Sequence, residues 1–225
     1  LHLSIRRQRQ MCIRDRSITP RQSCPNPFHM AVKKTELREK AKQYFQNMIL
    51  AAHELSCPKL LITSGWQSYS ETRQEAWDRS VWMVGELCRF AEKYGVSLTM
   101  ETLSRQSTTL VNTISDLKQM MKEVNSKAFT ITADIHTIYN AKESIQDYFD
   151  TFGKKLNHCH FMDYKNGIRS HLAWGDGEAD IKEILDIFDR NRFSGHFVLE
   201  YTDSKYFLEP FKVYEKTYHI IRQNL

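Results

Sequence analysis

From Ser17 onward the apolar residues follow two alternating patterns, short continuous runs and longer stretches with a single apolar face. The run LLIT (60–63) precedes Trp77, Val81, Val84, Cys88 and Ala91, whose spacing of three and four is that of one helix face. Ser68 with Glu71 offers a capping box at its start and Gly95 a stop at its end. VSLTME (96–101) precedes Leu110, Ile114, Leu117, Met121 and Val124, and AFTITAD (128–134) precedes Ile145, Tyr148, Phe149 and Phe152, ended by Gly153. LNHCHFMD (156–163) leads to Ile181, Ile184, Leu185 and Phe188, and HFVLEY (196–201) to a last helix from about Tyr206. Upstream, SITP (17–20) reads as a strand before a helix carrying Leu37, Ala41, Tyr44, Met48 and Leu55. About six βα units with no linker between them predict an α/β fold with a parallel sheet, either open or closed into a barrel.

Composition narrows the setting. No apolar run approaches the roughly 18 residues of a membrane span, so no membrane partner is expected. Cys12, Cys24, Cys57, Cys88 and Cys159 form an odd set with no CxxC pair, which predicts reduced thiols in a cytoplasmic protein. The formal charge of +5 is concentrated at the start, where five arginines and one aspartate precede Ser17. The remainder is close to neutral, so no nucleic-acid face is expected. MCIRD (11–15) is what one frame of a transposase adaptor end encodes; residues 1–16 are therefore expected to be a non-native leader, and residues 17–225 a partial barrel.

The chemistry collects at strand ends. LTME ends on Glu101, ITAD on Asp134, NHCH on His160 and FVLE on Glu200. Each of four successive strands thus delivers one metal-capable side chain at its C-terminal end, where a parallel barrel gathers its catalytic groups. Three carboxylates brought together would repel one another unless a cation sat among them. Three oxygen donors and one imidazole suit manganese, magnesium or cobalt better than a structural zinc, although zinc remains an alternative. His158 and His160 share one strand face, and His158, a layer deeper, is expected to be a core histidine behind the ligand. Asp163 lies past the strand end and is expected to orient the following loop. Trp66, in SGWQS, could stack on a bound substrate. Arg169 stands alone as a cation for a phosphate, with no basic cluster around it.

TMETLS (99–104), TADI (132–135), the His-x-His-x-x-Asp of 158–163, HLAWGDGEADI (171–181) and LEY (199–201) together resemble the xylose-isomerase-like sugar isomerase and epimerase barrels. The nearest branch is that of fructoselysine 3-epimerase and D-tagatose 3-epimerase. The resemblance implies a (β/α)8 TIM barrel, here truncated at its N-terminal side to about six βα units. It matches Glu101, Asp134, His160 and Glu200 to the family's metal ligands, and Glu101 and Glu200 also to its acid–base pair. It implies a divalent-metal-dependent epimerase or isomerase of a ketose or sugar phosphate, working by proton transfer through an enediolate. His171 matches a histidine near the sugar. Where that branch carries a substrate-contacting histidine three residues after the aspartate, Thr137 stands instead and His136 comes one place early. Two other readings compete: an abasic-site endonuclease of the same superfamily, and a barrel fragment without turnover. A six-strand piece is expected to expose apolar faces and to aggregate, and whether it forms a homo-oligomer is left open.

Overall fold

The computed structural model describes residues 16–22 and 26–225. Five strands, β1 (Lys59–Ile62), β2 (Ser97–Glu101), β3 (Phe129–Asp134), β4 (Leu156–His160) and β5 (His196–Val198), are hydrogen-bonded in chain order in one sheet. The pairings of β1 with β2, β3 with β4 and β4 with β5 are parallel. The chain divides into two compact units, residues 1–100 with 121–130 and residues 101–120 with 131–225.

In the first unit α1 (Thr35–Glu54) precedes β1 and α2 (Arg73–Glu92) follows it. SITP does not form a full strand; Ile18 makes one parallel bridge to Leu60, with its N–H donating to Lys59 O at 3.0 Å. The buried stripe of α1 is Ala41, Phe45, Ile49 and Ala52, turned one position from the expected Tyr44 and Met48. The capping box of α2 is Thr72 with Glu75, not Ser68 with Glu71. Glu71 keeps half of the expected contact, its Oε1 accepting the Ser68 N–H at 2.7 Å while Oε2 pairs with Arg79, but the helix starts only at Arg73. In α2, Trp77, Val84, Cys88 and Ala91 are buried as the spacing predicts.

Helix α3 (Ile114–Val124) joins β2 to β3, and the second unit holds β4, β5, α4 (Ile135–Asn140), α5 (Ile145–Phe152), α6 (Ile181–Arg190) and α7 (Pro210–Asn224). Ile145, Tyr148, Phe149 and Phe152 of α5 are buried as expected, whereas α6 buries Ile184, Ile187 and Phe188 rather than Leu185. The last helix starts at Pro210, after a 3₁₀ turn over Ser204–Tyr206, because Pro210 supplies its first turn. One irregularity matters for function. Ile131 pairs with Leu156 but Thr132 pairs with His158, so Asn157 is an extra residue on β4. That bulge brings Asp134 opposite His160, and parallel partners direct their side chains to the same face.

No helix among the described residues is long and apolar enough to cross a membrane. Cys57, Cys88 and Cys159 are buried and in the reduced state. Cys12, Cys24 and nearly all of the expected leader lie outside the described residues.

Candidate active site

Glu101, Asp134 and His160 are the final residues of β2, β3 and β4, and Glu200 lies two residues past the end of β5. β5 is shorter than HFVLEY suggested, so Glu200 is a loop residue. All four nevertheless meet. His160 Nδ1 lies 3.0 Å from Glu101 Oε2, 3.3 Å from Asp134 Oδ2 and 3.1 Å from Glu200 Oε2. Glu101, Asp134 and His160 are buried, while the Glu200 side chain is 40% exposed. Asp134 has two tasks: its Oδ1 accepts the Thr137 N–H at 2.8 Å and caps α4, which leaves Oδ2 free to face the histidine.

The ionisation of this cluster follows from burial and charge. Burial drives the Glu101 carboxyl above its ordinary pKa, and the neighbouring carboxylates of Asp134 and Glu200 add to that against the pull of His160. Burial alone would lower the pKa of His160, but Glu101, Asp134 and Glu200 outweigh it and hold the imidazole protonated well above 6.5. For Asp134 and Glu200 burial acts upward, and the two histidines reverse it so that both stay ionised.

The donor set fits a divalent cation. One Nδ1–H can satisfy one acceptor, yet three carboxylate oxygens approach it within 3.3 Å. A cation at that point would satisfy all three carboxylates, with the imidazole deprotonated as a fourth ligand.

The expected sugar contacts fall into two groups. His171 joins the cluster, with Nδ1 at 3.3 Å from Glu200 Oε2 and Nε2 at 3.7 Å from Asp134 Oδ2. His136 is buried with its ring centroid 4.9 Å from that of His171, and its Nε2 lies 3.0 Å from Ile168 O. Asp134, His136 and His171 offer ligand atoms within 4.8 Å of one another, a second trio able to hold an ion. Trp66 belongs to the first unit and stacks on His29 with centroids 3.6 Å apart, so the described cluster is assembled without it. His158 is fully buried, its ring 5.5 Å from that of His160.

Asp163 and two cations complete the site's surroundings. The Asp163 carboxylate is buried and accepts four backbone N–H groups, from Tyr164, Gly175, Gly177 and Ala179, at 2.8 to 3.0 Å. Arg105 and Lys142 line a cavity together with Arg169 and His136. Sequence reasoning missed both, since each is a lone cation in its own loop.

A family model described as a xylose isomerase-like TIM barrel matches residues 6–223. The chain belongs to that family. Its expected TIM-barrel fold is also that of 3-keto-D-glucoside 4-epimerase from E. coli, with a TM-score of 0.83 at 14% identity, covering 97% of this chain and 82% of that one. A D-psicose 3-epimerase structure with D-tagatose, from Clostridium cellulolyticum, gives a TM-score of 0.70 at 21% identity, covering 82% of this chain and 63% of that one. Among curated proteins, fructoselysine 3-epimerase of Shigella flexneri is 27% identical over 185 residues, 82% of this chain. D-psicose 3-epimerase of Ruminiclostridium cellulolyticum is 26% identical over 156 residues, 65% of this chain. The chain spans 66% of the length of the first relative and 53% of the second.

Proposed function

We propose that residues 17–225 are the partial-barrel catalytic domain of a divalent-metal-dependent sugar epimerase, with Glu101, Asp134, His160 and Glu200 as metal ligands. The reaction is removal of the proton beside a ketose carbonyl and return of a proton to the opposite face, through an enediolate. One observation carries this reading: a single imidazole nitrogen at the end of β4 stands among three carboxylates, two from the ends of β2 and β3 and one from just past β5. The relatives named as 3-epimerases support the reaction class. Their names also favour a small-molecule sugar substrate, and the buried, reduced cysteines among the described residues favour the cytoplasm.

The metal, manganese before magnesium, cobalt or zinc, supplies Lewis-acid polarisation of the carbonyl and its neighbouring hydroxyl when bound. The chain's own groups move the proton. In the metal-free cluster burial raises the pKa of Glu101, while His160 and His171 lower that of the half-exposed Glu200. Glu101 and Glu200 form the acid–base pair: one takes the proton and the other returns one to the opposite face, the roles reversing for the reverse reaction. His136 and His171 contact sugar hydroxyls beside them. Asp134, locked by the Thr137 N–H, keeps the cluster in place.

The test is wash-in of solvent deuterium. The chain is incubated with Mn(II) and D-fructose or D-tagatose in D₂O, and loss of the C3 proton signal is followed by NMR. Exchange that requires metal and disappears in Glu101→Gln and Glu200→Gln is the expected result. A folded, Mn(II)-binding chain that exchanges no ketose proton refutes the proposal, and cleavage of abasic DNA in its place would move the site to phosphodiester chemistry.

A further inference from the structure

The loops that follow β2, β3 and β4 in the second unit enclose a cavity of about 710 Å³. These are the loops on the catalytic face of a parallel barrel. Each brings one cation to the cavity: Arg105 from the first, Lys142 from the second and Arg169 from the third. No aspartate or glutamate lines it, and the remaining polar lining includes Ser104, Ser107 and Asn140. Among the described residues none of the three cations is paired with a carboxylate, although salt bridges are frequent elsewhere in the chain.

His136 forms part of the wall, and its ring also belongs to the trio with Asp134 and His171. The cavity therefore begins where the metal-type cluster ends. A sugar with its reacting carbons at the cluster would extend past His136 and place its far end among three cations and several N–H and O–H donors.

We propose that this cavity is an oxyanion subsite, and that the substrate carries a phosphate or a carboxylate on the end of the sugar remote from the carbonyl. The reason is chemical. A neutral sugar hydroxyl both donates and accepts, so a site built for it mixes carboxylates and carbonyls with donors. An oxyanion only accepts, and it gains most from converging guanidinium and ammonium groups. A solvated face scatters such side chains over convex surface, whereas these three meet around one concavity from separate loops. The word sugar rests on the epimerase reading; the anion site rests on the cavity alone.

Two measurements keep those readings apart. First, dissociation constants for D-fructose, D-fructose 6-phosphate and a hexulosonate are measured by calorimetry on the full chain with Mn(II) at low ionic strength. At least tenfold tighter binding of one charged sugar over fructose is expected, and which one binds tighter identifies phosphate or carboxylate. The preference should shrink with added salt and fall to within about twofold in the Arg105→Gln, Lys142→Gln, Arg169→Gln variant. Second, inorganic phosphate is titrated without sugar or metal and followed by ³¹P line broadening in native and triple-variant chains. Equal affinity for charged and neutral sugars, or a preference and broadening unaltered in the variant, overturns the proposal while leaving deuterium exchange to judge the epimerase. Cation-dependent phosphate binding with no exchange of any ketose leaves the subsite standing and removes the epimerase.

Discussion

Asp163 is the residue whose replacement tests most directly how the site's longest loop is held. Its Oδ1 accepts the N–H groups of Tyr164 at 2.8 Å and Ala179 at 3.0 Å, and its Oδ2 those of Gly175 at 3.0 Å and Gly177 at 2.8 Å. The fit is close: a Cβ on Gly177 would lie 2.3 Å from Oδ1. The backbone of Asp163 also bridges Leu172 in both directions, at 2.9 and 3.2 Å. This one carboxylate therefore anchors the loop that carries Arg169, His171 and Trp174. In Asp163→Asn one oxygen becomes an NH₂ group, which cannot accept, so one pair of N–H donors faces another donor. Bonds to a charged acceptor contribute about 1.5 kcal/mol each at the lower end of their range, and losing two costs about 3 kcal/mol. Asp163→Ala removes all four, but water can reach the partly buried donors, so its cost is set at about 4 kcal/mol rather than twice the first. Urea unfolding read by tryptophan fluorescence gives the free energies, with buried Trp174 as a reporter in the same loop. Native-state hydrogen exchange should show the amides of Gly175, Gly177 and Ala179 losing protection ahead of the β4 amides. A cost under about 0.5 kcal/mol for the asparagine variant, with those amides still protected, would show that the carboxylate does not hold the loop.

Other consequences concern metal, pH, backbone and surface. Glu101→Gln and His160→Asn are each expected to weaken Mn(II) binding by at least a hundredfold in calorimetry, and His160→Asn should also lower metal-free stability by about 3 kcal/mol, because three carboxylates lose their shared cation. Burial lowers the pKa of His29 from 6.5 to about 4, so the imidazole is neutral in the fold. Only the unfolded chain binds this proton between those values; stability is therefore full above pH 6.5 and falls by about 3 kcal/mol toward pH 4, a slope that His29→Phe should flatten in denaturation curves. Gly65→Ala places a Cβ 2.7 Å from His29 Nδ1 and 2.8 Å from Ala31 N at a φ of +75°, so the melting temperature should fall by at least 5 °C, equivalent to more than about 1 kcal/mol. Leu208 is 91% and Phe211 87% exposed; a Leu208→Glu, Phe211→Glu variant should scatter less light on concentration, and unchanged scattering would place the sticky surface elsewhere.

Much of the site is written in local patterns that a chain displays without folding. Short stretches of four to six residues, each followed by helical spacing, make strands β1 to β4, and parallel strands separated by helices must all point the same way. Glu101, Asp134 and His160, each closing such a run, were bound to emerge at one end of the sheet. Helix faces were legible to within one residue, as in α1 and α6, because neighbours at i+3 and i+4 decide them. Tertiary structure decided what depends on partners distant in sequence. The bulge at Asn157 sets Asp134 opposite His160, and strand pairing creates that register rather than any residue type. The helix after β1 begins at Arg73, so Thr72 and Glu75 form its capping box while Glu71 accepts the Ser68 N–H and pairs with Arg79. The four N–H groups on Asp163 converge only once the loop doubles back. Arg105, Lys142 and Arg169, single cations in three loops, form a cluster only because strand order places those loops side by side. Periodicity is a property of a dozen consecutive residues; convergence is a property of the sheet that joins them.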